Sequence, residues 1–135
     1  MVELTVDAKD ENLDEVLAFV NEQLEPYDCS PKVQMQLEIA VEELFVNIAH
    51  YAYQPATGSA TVRMEVQESP RAARITFIDR GMPYDPLAKE DPDVTLAAES
   101  RQIGGLGIYM VKKSMDDVAY EYKDGQNVLT ITKNL

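Results

Sequence analysis

The chain has 135 residues, with 24 acidic side chains against 12 lysines and arginines and a net charge of −12. That balance argues against a nucleic-acid binder and against adhesion to an anionic membrane, both of which need a basic face. Hydrophobic residues make up 45% of the chain, enough to pack one domain over 1–135, and no apolar run approaches the roughly 20 residues that span a bilayer.

The N-terminal residues lack the basic and apolar regions of a signal peptide, so a soluble, cytoplasmic protein is expected. Residues 2–6 alternate apolar and polar and predict a half-buried strand. Asn12 is a helix cap with Glu15 three residues on, a variant of the capping box. Leu13, Val16, Leu17, Val20 and Leu24 then repeat at helical spacing and predict a helix over 13–24. The lone Cys29 excludes an internal disulfide and a multi-cysteine metal site, and with one histidine in the chain it is a weak nucleophile candidate.

Ser30-Pro31 is a second start signal, and no breaker follows until about residue 53. On a wheel at about 100° per residue, Val33, Leu37, Val41, Leu44 and Ile48 form the stripe expected to face the core. Glu43 and Asn47 lie side by side on one flank of that stripe, and His50 continues the flank as a partly buried structural residue. Glu-x-x-x-Asn is common on helix surfaces. On a half-buried edge, however, the glutamate can take a proton from a hydroxyl and the asparagine oxygen can ligate Mg²⁺. Ile39 and Val46 fall opposite the buried stripe and are a candidate partner surface, including for a homodimer.

Strands are predicted over 60–67 and 73–78, the second ending at Asp79. Asp79-Arg80-Gly81 then breaks the pattern; a carboxylate there can accept from an exocyclic amine, though Asp-x-Gly is usually only a turn. Residues 80–103 read as a long irregular loop of the kind that is often functional. Gly104-Gly105-Leu106-Gly107 leads into a helix over 108–115, so that backbone N–H groups at a helix N-terminus can approach a phosphate. A closing hairpin over 117–123 and 127–133 surrounds Asp124-Gly125. The order predicts an α+β two-layer sandwich, a mixed and mostly antiparallel sheet with helices on one face.

Taken in order, Glu43-x-x-x-Asn47, Asp79-x-Gly81, a proline-rich loop, Gly105-x-Gly107 and a closing hairpin resemble the ATPase superfamily of gyrase, the heat-shock chaperone and histidine kinases. The stretches 40–47 (AVEELFVN) and 79–86 (DRGMPYDP) look most like its small anti-sigma factor serine kinases, over about residues 4–133. The resemblance implies ATP and Mg²⁺ as ligands. It makes Glu43 the general base, Asn47 the Mg²⁺ ligand and Asp79 the reader of the adenine amine, with Gly81 keeping the backbone close. It makes 84–103 a lid carrying cations such as Arg101, and Gly105 and Gly107 the phosphate-facing glycines. Where the family commonly has Gly-Thr-Thr, this chain has Gly125-Gln126-Asn127; either the Asn127 amide stands in at the adenine or that contact is weaker. Pro83 replaces a frequent second glycine, and Tyr51, beside His50, stands where the family usually has histidine.

The implied partners are an anti-sigma factor antagonist, phosphorylated on Ser or Thr, and a sigma factor. The alternatives are an ATP-binding regulatory module with little or no kinase activity and a detached catalytic domain of a histidine kinase. Residues 1–66 hold 13 acids against 3 bases, whereas 80–113 balance at five each. The segment expected to meet a polyanion is thus neutral, and the acidic one is suited to steering a basic protein partner.

Overall fold

The computed structural model describes residues 1–53, 56–88 and 105–135. Among the described residues five strands and three α-helices follow in the order β1 (Val2–Asp7), α1 (Leu13–Leu24), α2 (Pro31–Tyr51), β2 (Ser59–Gln67), β3 (Ala72–Asp79), α3 (Gly105–Ser114), β4 (Asp117–Lys123) and β5 (Gln126–Asn134). The sheet runs β1-β2-β3-β5-β4, and all four pairings are antiparallel. The α+β sandwich is as expected, with no parallel pair among the described strands. β5 lies between β3 and its hairpin partner β4, which forms the sheet edge.

Period-two alternation decides the two faces of the sheet. Val62, Phe77 and Leu129 stand in one cross-strand row and Met64, Ile75 and Ile131 in the next, all buried. Against them pack Val16, Val20 and Leu24 of α1, Leu37, Val41, Leu44 and Phe45 of α2, and Ile108 and Val111 of α3. Each such large side chain contributes about 1.5–3 kcal/mol by leaving water. On the other face Thr5 bonds Thr61 at 2.9 Å, Thr76 bonds Thr130 at 3.3 Å, and Glu3 pairs with Arg63 at 2.8 Å. Threonines and exposed ion pairs suit a solvated surface and contribute little net stability.

Helix starts follow local chemistry in one case and depart from it in the other. Ser30 Oγ accepts from the Val33 N–H at 3.2 Å, with Pro31 at the first helical position, as expected of a cap. Asn12 makes no cap bond. Its Nδ2 donates instead to the Asp7 carbonyl at 2.9 Å, and a 3₁₀ turn over Asp10–Asn12 leads into α1. The side chain is drawn back to the end of β1, so the predicted capping box does not form. α2 stops at Tyr51 rather than 53, and Ala40 and Phe45 widen its buried stripe beyond the expected residues. α3 starts at Gly105, so Gly105 and Gly107 fall in its first turn rather than ahead of it. Among the described residues no helix is long and apolar enough to cross a membrane.

Candidate functional site

The register of β3 and β5 creates the site. Asp79 ends β3, and its cross-strand partner on β5 is Asn127. They are the two buried polar residues among those described, each 6% exposed, and they bond each other, Asn127 Nδ2 donating to Asp79 Oδ1 at 2.9 Å. A buried carboxylate is costly unless hydrogen-bonded, and the same oxygen also accepts from the Gly81 N–H at 2.9 Å. The other Asp79 oxygen accepts no hydrogen bond among the described residues. Among the described residues no enclosed side-chain polar atom is left without a partner, so this oxygen opens on the space beside it.

That space is a narrow cleft of about 40 Å³, smaller than the roughly 300–1,000 Å³ usual for a small-molecule site. Its walls are apolar: Leu44, Ile48 and Ala52 from α2, Phe77 from β3, Leu129 from β5, and Met82 and Pro86 from the segment after β3. Asn47, Tyr51, Tyr84 and Tyr120 add polar groups. Among the described residues the Asn47 amide has no hydrogen-bond partner, although it lines the cleft. Among the described residues no group of three or more His, Cys, Asp or Glu is placed to hold a metal ion. Mg²⁺ is commonly held through one or two protein oxygens with water and phosphate completing the shell. A single unpartnered asparagine oxygen in a cleft fits that mode and not an all-protein cage.

Glu43 lies one turn before Asn47 on α2 and faces α3 rather than lining the cleft itself. A β-carbon built on Gly107 would run into its carboxyl group. Gly107 thus brings the first turn of α3 close against the end of the flexible Glu43 side chain. Glu43 makes no hydrogen bond or ion pair among the described residues. Burial, with the neighbouring Glu42 charge second, pushes its carboxyl above the usual carboxylate range. A group whose folded pKa is raised binds its proton more readily in the native state, so its ionisation lowers stability as pH rises through that interval. Glu43→Gln is accordingly expected to raise the melting temperature of the ligand-free protein at pH 7. The gain should vanish at a pH below the ordinary carboxylate range, where both side chains are neutral; thermal unfolding at the two pH values checks it.

Gly81 lies against the end of α2. A β-carbon there would strike the Ala52 carbonyl, which accepts the Met82 N–H at 2.9 Å. The close approach is between the strand exit and the end of α2. Tyr53 braces the same corner: its hydroxyl donates to the Ser59 carbonyl at 2.6 Å and accepts the Arg80 N–H at 2.7 Å. Gly105 opens α3, and Arg101 lies outside the described residues. His50 is a correction: it is exposed rather than partly buried, and its Nε2 pairs with Asp10 at 2.8 Å. Its neighbour Tyr51 lines the cleft, with its ring 6.4 Å from that of Tyr84. Cys29 is half-buried, and burial pushes its thiol up, away from an activated nucleophile.

Sequence reasoning missed Tyr53 and Tyr120. The sequence left two possibilities for Asn127, an amide standing in at the adenine or a weaker contact there. Asn127 Nδ2 donates to Asp79 and to the Met82 carbonyl, while Oδ1 accepts from the Tyr120 hydroxyl and the Tyr84 N–H. Two donor hydrogens and two acceptor positions are the whole capacity of an amide, and all four are used inside the protein.

The chain matches the histidine kinase-like ATPase domain over residues 6–133. It is 26% identical over 105 residues to the serine/threonine-protein kinase BtrW of Bordetella bronchiseptica, covering 78% of this chain and 73% of that protein. It is 32% identical over 98 residues to the serine-protein kinase RsbW of Listeria monocytogenes, covering 69% of this chain and 61% of that one. The serine-protein kinase RsbW of Bacillus cereus is 29% identical over 97 residues, 69% of this chain and 59% of its own length. The match thus spans about three-fifths of the Listeria and Bacillus relatives.

Proposed function

The chain belongs to the histidine kinase-like ATPase domain family, and from that premise we propose that it is an ATP-dependent serine/threonine protein kinase that phosphorylates an anti-sigma factor antagonist and binds and inhibits a sigma factor. The observation that carries the nucleotide reading is the buried Asp79–Asn127 pair at an apolar cleft, with one Asp79 oxygen left to accept from a ligand. A carboxylate that can only accept selects a base presenting an amine, as adenine does. Similarity to relatives named as serine-protein kinases supports transfer to a protein hydroxyl.

Phosphoryl transfer depends mostly on positioning and charge neutralisation. Asn47 would hold Mg²⁺, which when bound supplies charge neutralisation at the phosphates. Glu43, half-buried and without a protein partner, takes the proton from the substrate hydroxyl. The first turn of α3, with Gly105 and Gly107, turns backbone N–H groups toward the phosphates, and Arg101 adds a cation. The acidic surface of α1 and α2 steers a basic sigma factor. The exposed Met35 and Ile39 on the outward side of α2 supply an apolar patch for a partner or a second copy, as in a homodimer; Val46, the other residue expected there, is partly covered.

A second reading is an ATP-binding regulatory module with little or no transfer. It is favoured by one observation, that Glu43 does not itself line the cleft. Incubation with γ-labelled ATP, Mg²⁺ and a candidate antagonist separates the two. Label on a serine or threonine of the antagonist is the expected outcome. Nucleotide binding without any transfer would leave only the module.

A further inference from the structure

The Asn127 amide can sit only one way round. Turned over, its NH₂ would face the Tyr84 N–H, a donor, and its oxygen would face two acceptors, Asp79 Oδ1 and the Met82 carbonyl. Asn127 Oδ1 accepts from Tyr120 Oη at 2.5 Å and from Tyr84 N at 3.1 Å; Asn127 Nδ2 lies 2.9 Å from both of its acceptors. Burial keeps the Tyr120 hydroxyl protonated and therefore a donor. Together with the Gly81 N–H, these contacts saturate one Asp79 oxygen and leave the other toward the cleft. They also tie residues 82 and 84 to β5, beside the same carboxylate.

We propose that Asn127, oriented by Tyr120, is a positioning residue for base recognition: it fixes which Asp79 oxygen faces the ligand and pins the 82–84 segment at the edge of the cleft. This rests on the reading of Asp79 as the acceptor of the base amine. Asn127 touches no ligand; it acts through Asp79.

The experiment measures binding of Mg–ATP and of purine riboside triphosphate, which lacks the 6-amino group, to the intact chain. A hydrogen bond to a charged acceptor gives the wild type a preference for ATP of roughly tenfold to a hundredfold. Asn127→Ala is expected to cut that preference by about tenfold, and to change it by less than about twofold when Asp79 is already alanine. Loss of overall packing would weaken both nucleotides alike and leave the ratio unmoved. Tyr120→Phe removes one donor and keeps the amide, so a fall of a few fold in the same ratio is expected from it, roughly one neutral hydrogen bond. If Asn127→Ala does not fold, Tyr120→Phe decides. An unchanged ratio in a folded variant overturns the positioning role while the reading of Asp79 stands. A full preference for ATP in Asp79→Ala overturns that reading and this inference with it.

Discussion

Glu43→Gln is expected to lower the rate of phosphoryl transfer by roughly 10²–10⁴-fold, the usual contribution of a positioned general base, while Mg–ATP binding stays within a few fold. Glutamine fills the same space beside Gly107, so the α2–α3 contact survives. What is lost is the ability to take a proton. Burial raises the Glu43 carboxyl, which makes the ionised form a better base than an ordinary surface glutamate. The wild-type rate should then rise with pH through a window above the usual carboxylate range, and that rise should be absent in the variant. Single-turnover transfer measured across pH checks both. The same substitution is expected to raise the stability of the free protein at neutral pH, and thermal unfolding of the variant separates lost activity from unfolding.

Asn47→Ala is expected to remove most of the stabilisation that Mg–ATP gives. A ligand at about 100 times its Kd stabilises by about 2.7 kcal/mol, several degrees in Tm for a chain of this size. The Asn47 amide has no hydrogen-bond partner among the described residues, so its removal costs the free protein little. The effect should appear only with nucleotide and the divalent ion together. Thermal unfolding with ATP, with Mg²⁺ and with both separates these cases. A full-sized shift in Asn47→Ala would reject the metal assignment.

What could be read in advance was whatever a single helix or strand carries. Glu43 and Asn47 share a flank because α2 runs unbroken from Pro31, and that absence of a breaker is visible in sequence. Asp79 could be placed at a strand end because the apolar alternation stops there. Asn127 could be located but not understood. Its partnership with Asp79 depends on β5 lying between β3 and β4, and hairpin signals disclose only the β4–β5 half of that order. Tyr53 and Tyr120 act on chain segments distant in sequence or across the hairpin, where no local pattern marks them. Asn12 and His50 show the same limit at the surface: each is claimed by a partner, the Asp7 carbonyl and the Asp10 carboxylate, that local periodicity does not reveal.

Calorimetric titration of Mg–ATP into the wild type and into Asp79→Ala is the most direct test of the nucleotide cleft. Saturable binding by the wild type, weakened at least about tenfold by the loss of the single acceptor, is expected. No binding by the wild type, or equal affinity in the two proteins, would contradict the placing of adenine at Asp79.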